Sequence, residues 1–264
     1  MSIATVLRRL LLCCLLCPPQ AAAERLVLAN LSLPGSVWPA QREAVLGLLA
    51  ESRPVVVVVQ DVSSRGQQGP TVCQLARELG MHCDFVTADP PSAALRRGSV
   101  MMSSLPVEED GASLLHGRGV VPPVAAGFLR LRLGDRQLAV YSASLTPGPD
   151  RAGSRIHQAA DLRRWMDSHG SADATVVCAR FASSPEQLRQ LMPGFATVRS
   201  GRPQLPHGVD VLYRPGQARV QAATTLRLET PPATAGKPPA GAPASELLGV
   251  VVELELASPA PLPQ

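Results

Sequence analysis

The 264 residues carry 25 Lys and Arg against 21 Asp and Glu, a net charge of +4 to which arginines near the N-terminus contribute. That excess is too small to argue by itself for nucleic acid or an anionic membrane surface. Only 3% of the residues are aromatic, whereas Pro (26) and Gly (21) are abundant, so long loops are expected between the packed elements.

The N-terminal stretch reads as an address. Arg8-Arg9 precede a short apolar run, Leu10 to Cys17, which is too short to cross a bilayer. Pro18-Pro19 and Ala21-Ala22-Ala23 follow, giving a secretory signal peptide over 1–23, cleaved after about Ala23. The expected location is periplasmic or secreted. No second long apolar run exists, so no integral membrane segment is expected after cleavage. Cys13, Cys14 and Cys17 open a lipoprotein reading, but the residues before them are mostly Leu or Cys rather than small, which disfavours lipidation.

From Glu24 the chain is long enough for one large domain, expected over 24–256. Arg25 to Leu33 reads as a strand, and Pro34-Gly35 breaks it. Pro39 to Ser52 has helical spacing at Ala44, Val45, Leu48 and Leu49. Val55 to Val59 are five consecutive valines, preceded by Pro54 and closed by Gln60-Asp61. β-Branched residues in a continuous run predict a central strand buried on both faces. Asp61 at its carboxyl end is either a site carboxylate, since sites gather there in helix-covered sheets, or a loop cap.

Thr71 to Leu79 reads as a helix capped by Thr71 and stopped by Gly80, and His82 to Thr87 as the next strand. Cys73 and Cys83 are then placed for a disulfide stapling that helix to the sheet in an oxidising compartment. Cys178, in an apolar run, reads as a buried thiol. The three cysteines after the signal form no CxxC or Cys/His cluster, which argues against zinc. Gly98 to Ser103 is a short strand, and Glu108 to Gly119 an exposed turn region. Ala126 to Leu133 and Arg136 to Ser144 form a hairpin about Gly134-Asp135. Ser154 to His169 is a helix, Ala174 to Cys178 a strand, and Pro185 opens another helix. Val209 to Tyr213, Ala218 to Leu228 and Leu247 to Leu256 are further strands. Residues 229–244 read as a flexible Pro/Ala-rich insertion, and 257–264 as a disordered tail.

The order of these segments resembles the endonuclease/exonuclease/phosphatase superfamily, an α/β fold built as a four-layered α/β/β/α sandwich (DNase I-like). Leu28-Ala29-Asn30-Leu31 looks like the family's opening strand, whose Asn helps to hold a metal. Val58-Val59-Gln60-Asp61 looks like its Gln-Glu strand, with Asp61 in place of the ligand Glu. Gly98 to Pro106 is similar to its Gly-x-x-x-x-Ser-x-x-Pro strand, and Arg155 and Gln158 to the Arg and Gln of its long helix. Val209-Asp210-Val211-Leu212 keeps the Asp that supports the last histidine. Four positions depart from the pattern. Ser144 replaces the His of Thr-His-Leu. Arg180 and Ala182 replace the Asp and Asn of Gly-Asp-Phe-Asn. Leu247 replaces the His of Ser-Asp-His, where Glu246 keeps the acid.

The resemblance implies a magnesium- or manganese-dependent phosphoesterase fold with half a metal corner, namely Asn30, Asp61 and Glu246, whose metal affinity would be weak. It implies that the groups acting on water and phosphate are lost at Ser144, Arg180, Ala182 and Leu247. Removing one such group typically lowers the rate by ~10²–10⁴. The expectation is an exported domain that has lost catalysis and binds a protein partner or a phosphate-bearing ligand. The alternative is a metal-dependent phosphoesterase, nuclease or phosphatase, with a rearranged site. His207, before the Asp210 strand, is the best-placed substitute histidine. In such a fold the Arg180 guanidinium would reach Asp61 or Glu246 where the metal lay, or hold an anionic ligand instead.

Overall fold

The computed structural model describes residues 24–32, 38–65, 70–200, 208–229 and 245–257, with the side chains of 38–40, 229 and 245–247 outside the description. The expected signal over 1–23, the tail from 258, residues 230–244 of the expected insertion, and His207 lie outside it too.

Twelve strands among these residues form two six-stranded sheets. The first has the order β11-β12-β1-β2-β4-β3 and the second β5-β6-β7-β8-β10-β9. In the first, β1 (Arg25–Ser32) and β2 (Val56–Arg65) are central and parallel. They are flanked by β12 (Ser245–Leu256) and β11 (Ala218–Glu229) on one side, and by β4 (Leu95–Ser103) and β3 (His82–Thr87) on the other. In the second, β7 (Arg136–Ser144) and β8 (Ala174–Arg180) are parallel neighbours. Around them lie β5 (Val107–Leu115), β6 (Val124–Leu133), β9 (Ala196–Arg199) and β10 (Asp210–Tyr213).

The valine run explains the layering. Val56 and Val58 face the other sheet, packing with Leu129, Val140, Val176, Cys178 and Val211. Val57 and Val59 face outward with Val45 and Leu49 of α1 (Trp38–Ser52) and Leu75 of α2 (Cys73–Glu78). On the far side, α3 (Ala152–Ser168) and α4 (Pro185–Leu191) cover Tyr141, Val177 and Phe181 with Leu162, Met166 and Leu188. Helices, sheet, sheet and helices therefore stack as four layers, the expected α/β/β/α sandwich. Burial on both faces is what a strand without alternation requires.

Several elements differ from the sequence reading. Residues 107–115 are not a turn region but the edge strand β5, paired with β6. Glu108, Glu109 and Asp110 are exposed there, so the polar run hid the pairing, and acidic side chains are what an edge strand tolerates. α2 starts at Cys73 without a side-chain cap, so Thr71 does not cap it. β9 had no predicted counterpart. β11 runs through Glu229, so the insertion cannot start there. The Ala257 N–H donates to the Gln217 carbonyl (2.8 Å), so Ala257 itself does not belong to the expected disordered tail.

Cys73 and Cys83 form a disulfide, with Cα atoms 5.8 Å apart, that ties α2 to β3. Cys178 is a buried free thiol.

Candidate functional site

The carboxyl ends of β1, β2, β7 and β8 meet at one end of the sandwich. Parallel registers set Ser32 beside Gln60 in one sheet and Ser144 beside Arg180 in the other. At this end β2 carries a bulge. Val59 pairs with Val100 and Val62 with Gly98, so Gln60 and Asp61 together oppose Ser99. Asp61 takes a left-handed backbone, φ +61°, which Asp tolerates better than most residues. In a regular strand Gln60 and Asp61 would point to opposite faces. The bulge re-aims the second side chain, and both meet residues of the other sheet.

Asp61 faces Arg180, the last residue of β8, with Nε 3.1 Å from Oδ2. The Ser32 hydroxyl donates to the same Oδ2 at 2.8 Å. Both charged side chains are largely shielded, at 16% exposure for Arg180 and 29% for Asp61, so the attraction is screened less than on an open surface.

Behind this pair lies a buried amide network. Asn30 Nδ2 donates to the Ala179 carbonyl (3.1 Å) and the Asp210 carbonyl (2.8 Å). Gln60 Nε2 donates to Asn30 Oδ1 (3.3 Å) and the Cys178 carbonyl (3.1 Å). Both amides are fully buried. They sew β1 and β2 of one sheet to β8 and β10 of the other.

Asp210 is buried and held by a second arginine. Arg199 Nε donates to Oδ1 at 2.6 Å, while its Nη2 donates to the Ser183 carbonyl at 3.0 Å. Burial pushes the Asp210 carboxyl up, against the opposing pull of Arg199. Sequence reasoning missed Arg199. Its one signal is the Ala-Thr-Val-Arg stretch ahead of the Asp210 strand, where β9 and β10 pair Arg199 with Asp210 directly.

The remaining expected residues are placed as follows. Ser144 ends β7, half-buried. Ala182 is exposed, in the loop between β8 and α4, with φ +47°. The next residues, Ser183-Ser184-Pro185, start α4 with a capping box between Ser184 and Gln187. Arg155 and Gln158 of α3 hold the loop after Ser144. Arg155 Nη1 donates to the Gly148 carbonyl (2.6 Å), and Gln158 Nε2 to the Thr146 hydroxyl (2.8 Å). Glu246 and Leu247 lie on β12 with their backbones opposite Leu228 and Arg227. Their side chains are outside the described residues, so Glu246 is not placed as a ligand.

A divalent cation needs closely spaced oxygens with free lone pairs. The only expected carboxylate ligand among the described side chains, Asp61, has a guanidinium against it, and Asn30 Oδ1 accepts from Gln60. Among the described residues no group of three His, Cys, Asp or Glu side chains could hold a metal ion. The described donor set does not fit magnesium or manganese. What it makes instead is a neutral, hydrogen-bonded seam in which two arginines each engage one acid.

No protein-family model matches the chain, and no curated protein sequence does. Solved structures do. The human Nocturnin catalytic domain, solved with bound sulfate, superposes with a TM-score of 0.67 at 14% identity, covering 91% of this chain and 99% of that one. An endonuclease/exonuclease/phosphatase from Bacteroides vulgatus gives 0.66 at 12%, covering 89% and 100%. A mannosyl-6-phosphatase from Bacteroides thetaiotaomicron gives 0.59 at 11%, covering 88% and 100%. The fold is therefore DNase I-like. It is the four-layered sandwich that these solved structures share, at 11–14% sequence identity.

Proposed function

We propose that this chain is an exported domain on a phosphoesterase-type fold whose hydrolytic site has been closed, and that it serves as a binding or scaffold domain. The observation that carries the reading is the ion pair between Arg180 and Asp61. Hydrolysis of a phosphate ester needs a cation to offset charge, a group to position water, and donors for the transition state. Asp61 instead neutralises an arginine of its own chain. Ser144 and Ala182, at the places of a family His and Asn, offer neither an imidazole nor an amide. Export rests on the Arg8-Arg9 and Leu10 to Cys17 pattern.

The test is hydrolysis of phosphodiester and phosphomonoester substrates by the chain from Glu24, with Mg²⁺ or Mn²⁺ and with EDTA, beside Asp61→Ala. Turnover indistinguishable from Asp61→Ala is the expected result. Metal-dependent turnover that Asp61→Ala abolishes would overturn the proposal in favour of a rearranged phosphoesterase.

A further inference from the structure

A cavity of about 280 Å³ opens at the amino end of β8, on the helix-covered side of the second sheet. Thr175 lines it, roughly 16 Å along the strand from Arg180 at ~3.3 Å per residue. The most deeply buried side chain in its wall is Tyr141, 1% exposed. That ring is clamped between Phe128 and Trp165, with centroids 4.9 and 5.6 Å away. Among the described residues the Tyr141 hydroxyl makes no hydrogen bond, and it is not one of the polar atoms sealed away without a partner. A buried Tyr hydroxyl ordinarily finds a partner. This one turns an unmet donor to the cavity.

Gln217 ties the walls together. Its Nε2 donates to the Ala172 carbonyl (3.0 Å), and its Oε1 accepts from the Thr175 N–H (3.0 Å). Its own N–H donates to the Arg214 carbonyl (2.9 Å), closing a turn with Pro215 where such turns favour proline. Arg214 is thereby fixed in the lining, with its guanidinium 5.1 Å from the Phe195 ring. Asp167, in the last turn of α3, lines the same cavity. Among the described residues neither makes an ion pair, so two opposite charges share the cavity without neutralising each other. Burial is what chiefly raises the Tyr141 phenol, and both charges reach it as well, Arg214 lowering and Asp167 raising its hold on the proton. The carbonyl end of α3 adds to the negative side and favours a cation beside Asp167.

We propose that this cavity binds a zwitterionic amino acid, its carboxylate on Arg214 and the Tyr141 hydroxyl, its ammonium on Asp167 and its side chain along Met166. Arginine grips a carboxylate through paired N–H donors, and a charged acceptor strengthens the bond from a phenol. A lone anion would meet Asp167, and a lone cation would meet Arg214, so only a ligand carrying both signs offsets both. The volume falls just below the ~300 Å³ at which drug-sized pockets begin, which suits a molecule of this size. The site stands apart from the Asp61 and Arg180 end of the sandwich. The inference therefore holds whether or not that end is closed to hydrolysis.

The test is a thermal-shift screen of the chain from Glu24 against the common L-amino acids at ~10 mM, where even weak ligands register by mass action. The amino acid that raises the midpoint most is then titrated calorimetrically. Beside it are run the acid that lacks its ammonium and the amine that lacks its carboxylate. Each single-charge analogue should bind at least ~10-fold more weakly. Arg214→Gln and Asp167→Asn, at exposed positions, should leave the unliganded midpoint unchanged and weaken binding about 10-fold or more. Tyr141→Phe keeps the ring and should weaken binding by a smaller factor. No shift with any amino acid, a single-charge analogue that binds as tightly as its parent, or binding untouched by Arg214→Gln, Asp167→Asn or Tyr141→Phe would overturn the proposal.

Discussion

Arg180, at the end of β8, reaches across the sandwich to Asp61 in the bulge of β2, joining the two sheets by an ion pair of 3.1 Å. The pair is partly shielded and shares Asp61 with the Ser32 hydroxyl. Breaking one partner of a shielded pair leaves the other uncompensated, which matters more than the net worth of the pair. Arg180→Ala should lower stability by about 1–3 kcal/mol, read from urea denaturation. The native chain should melt at the same temperature in EDTA and in millimolar Mg²⁺, since a ligand stabilises only where it binds the folded state. A metal-dependent midpoint in the native chain would contradict the closed site.

Asn30 is the more sensitive position. Its amide serves two carbonyls of the opposite sheet and accepts from Gln60, and the side chain is fully buried. Asn30→Ala would orphan these groups and open a small void. The expected loss is about 2–5 kcal/mol, larger than for Arg180→Ala, measured by the same denaturation series.

Ala182 holds φ +47° on the surface, where its methyl packs against little. A left-handed backbone costs an L-residue roughly 1–2 kcal/mol, while the added chain entropy of glycine costs about 0.4–1 kcal/mol. The strain outweighs the entropy. Ala182→Gly should raise the unfolding free energy by about 0.5–1 kcal/mol, read from urea denaturation, and a lowered value would refute the strain argument.

Alkaline stability should follow two buried groups. Burial pushes the Cys178 thiol from 9.0 up to about 12, and the Tyr141 phenol from 10.0 up to about 12. Between those limits the unfolded chain has released protons that the folded chain retains, so stability falls as pH rises. The contribution is fully present below about pH 9 and is lost as pH climbs through about 12. Urea midpoints from ~pH 7 to ~pH 11 should decline, and Cys178→Ala should flatten the part of the decline that begins near the ordinary thiol pKa. The native Cys178 should also resist thiol reagents until denaturant is added.

Much of the fold was legible. The valine run announced a doubly buried strand, and the hairpin about Gly134-Asp135 sits where its turn residues put it. Where local signals were weak the reading failed. β5 carries three consecutive acidic residues, and β9 is four residues long, so neither shows alternation enough to distinguish it from a loop. Edge strands gain their order from one neighbour and keep polar side chains in water, so their sequences carry little hydrophobic pattern.

The sequence by itself determined most of the helices and strands, though not β5 or β9, and the burial of the central strand, because periodicity and residue identity are local properties. Only the tertiary structure decided what the site residues do. The bulge that turns Asp61 towards Arg180, the capture of Asp210 by Arg199 and the reach of Asn30 over 149 and 180 residues of chain depend on sheet register and layer contact. Register is set by which faces bury against each other across the whole sandwich, and no stretch of sequence contains that by itself.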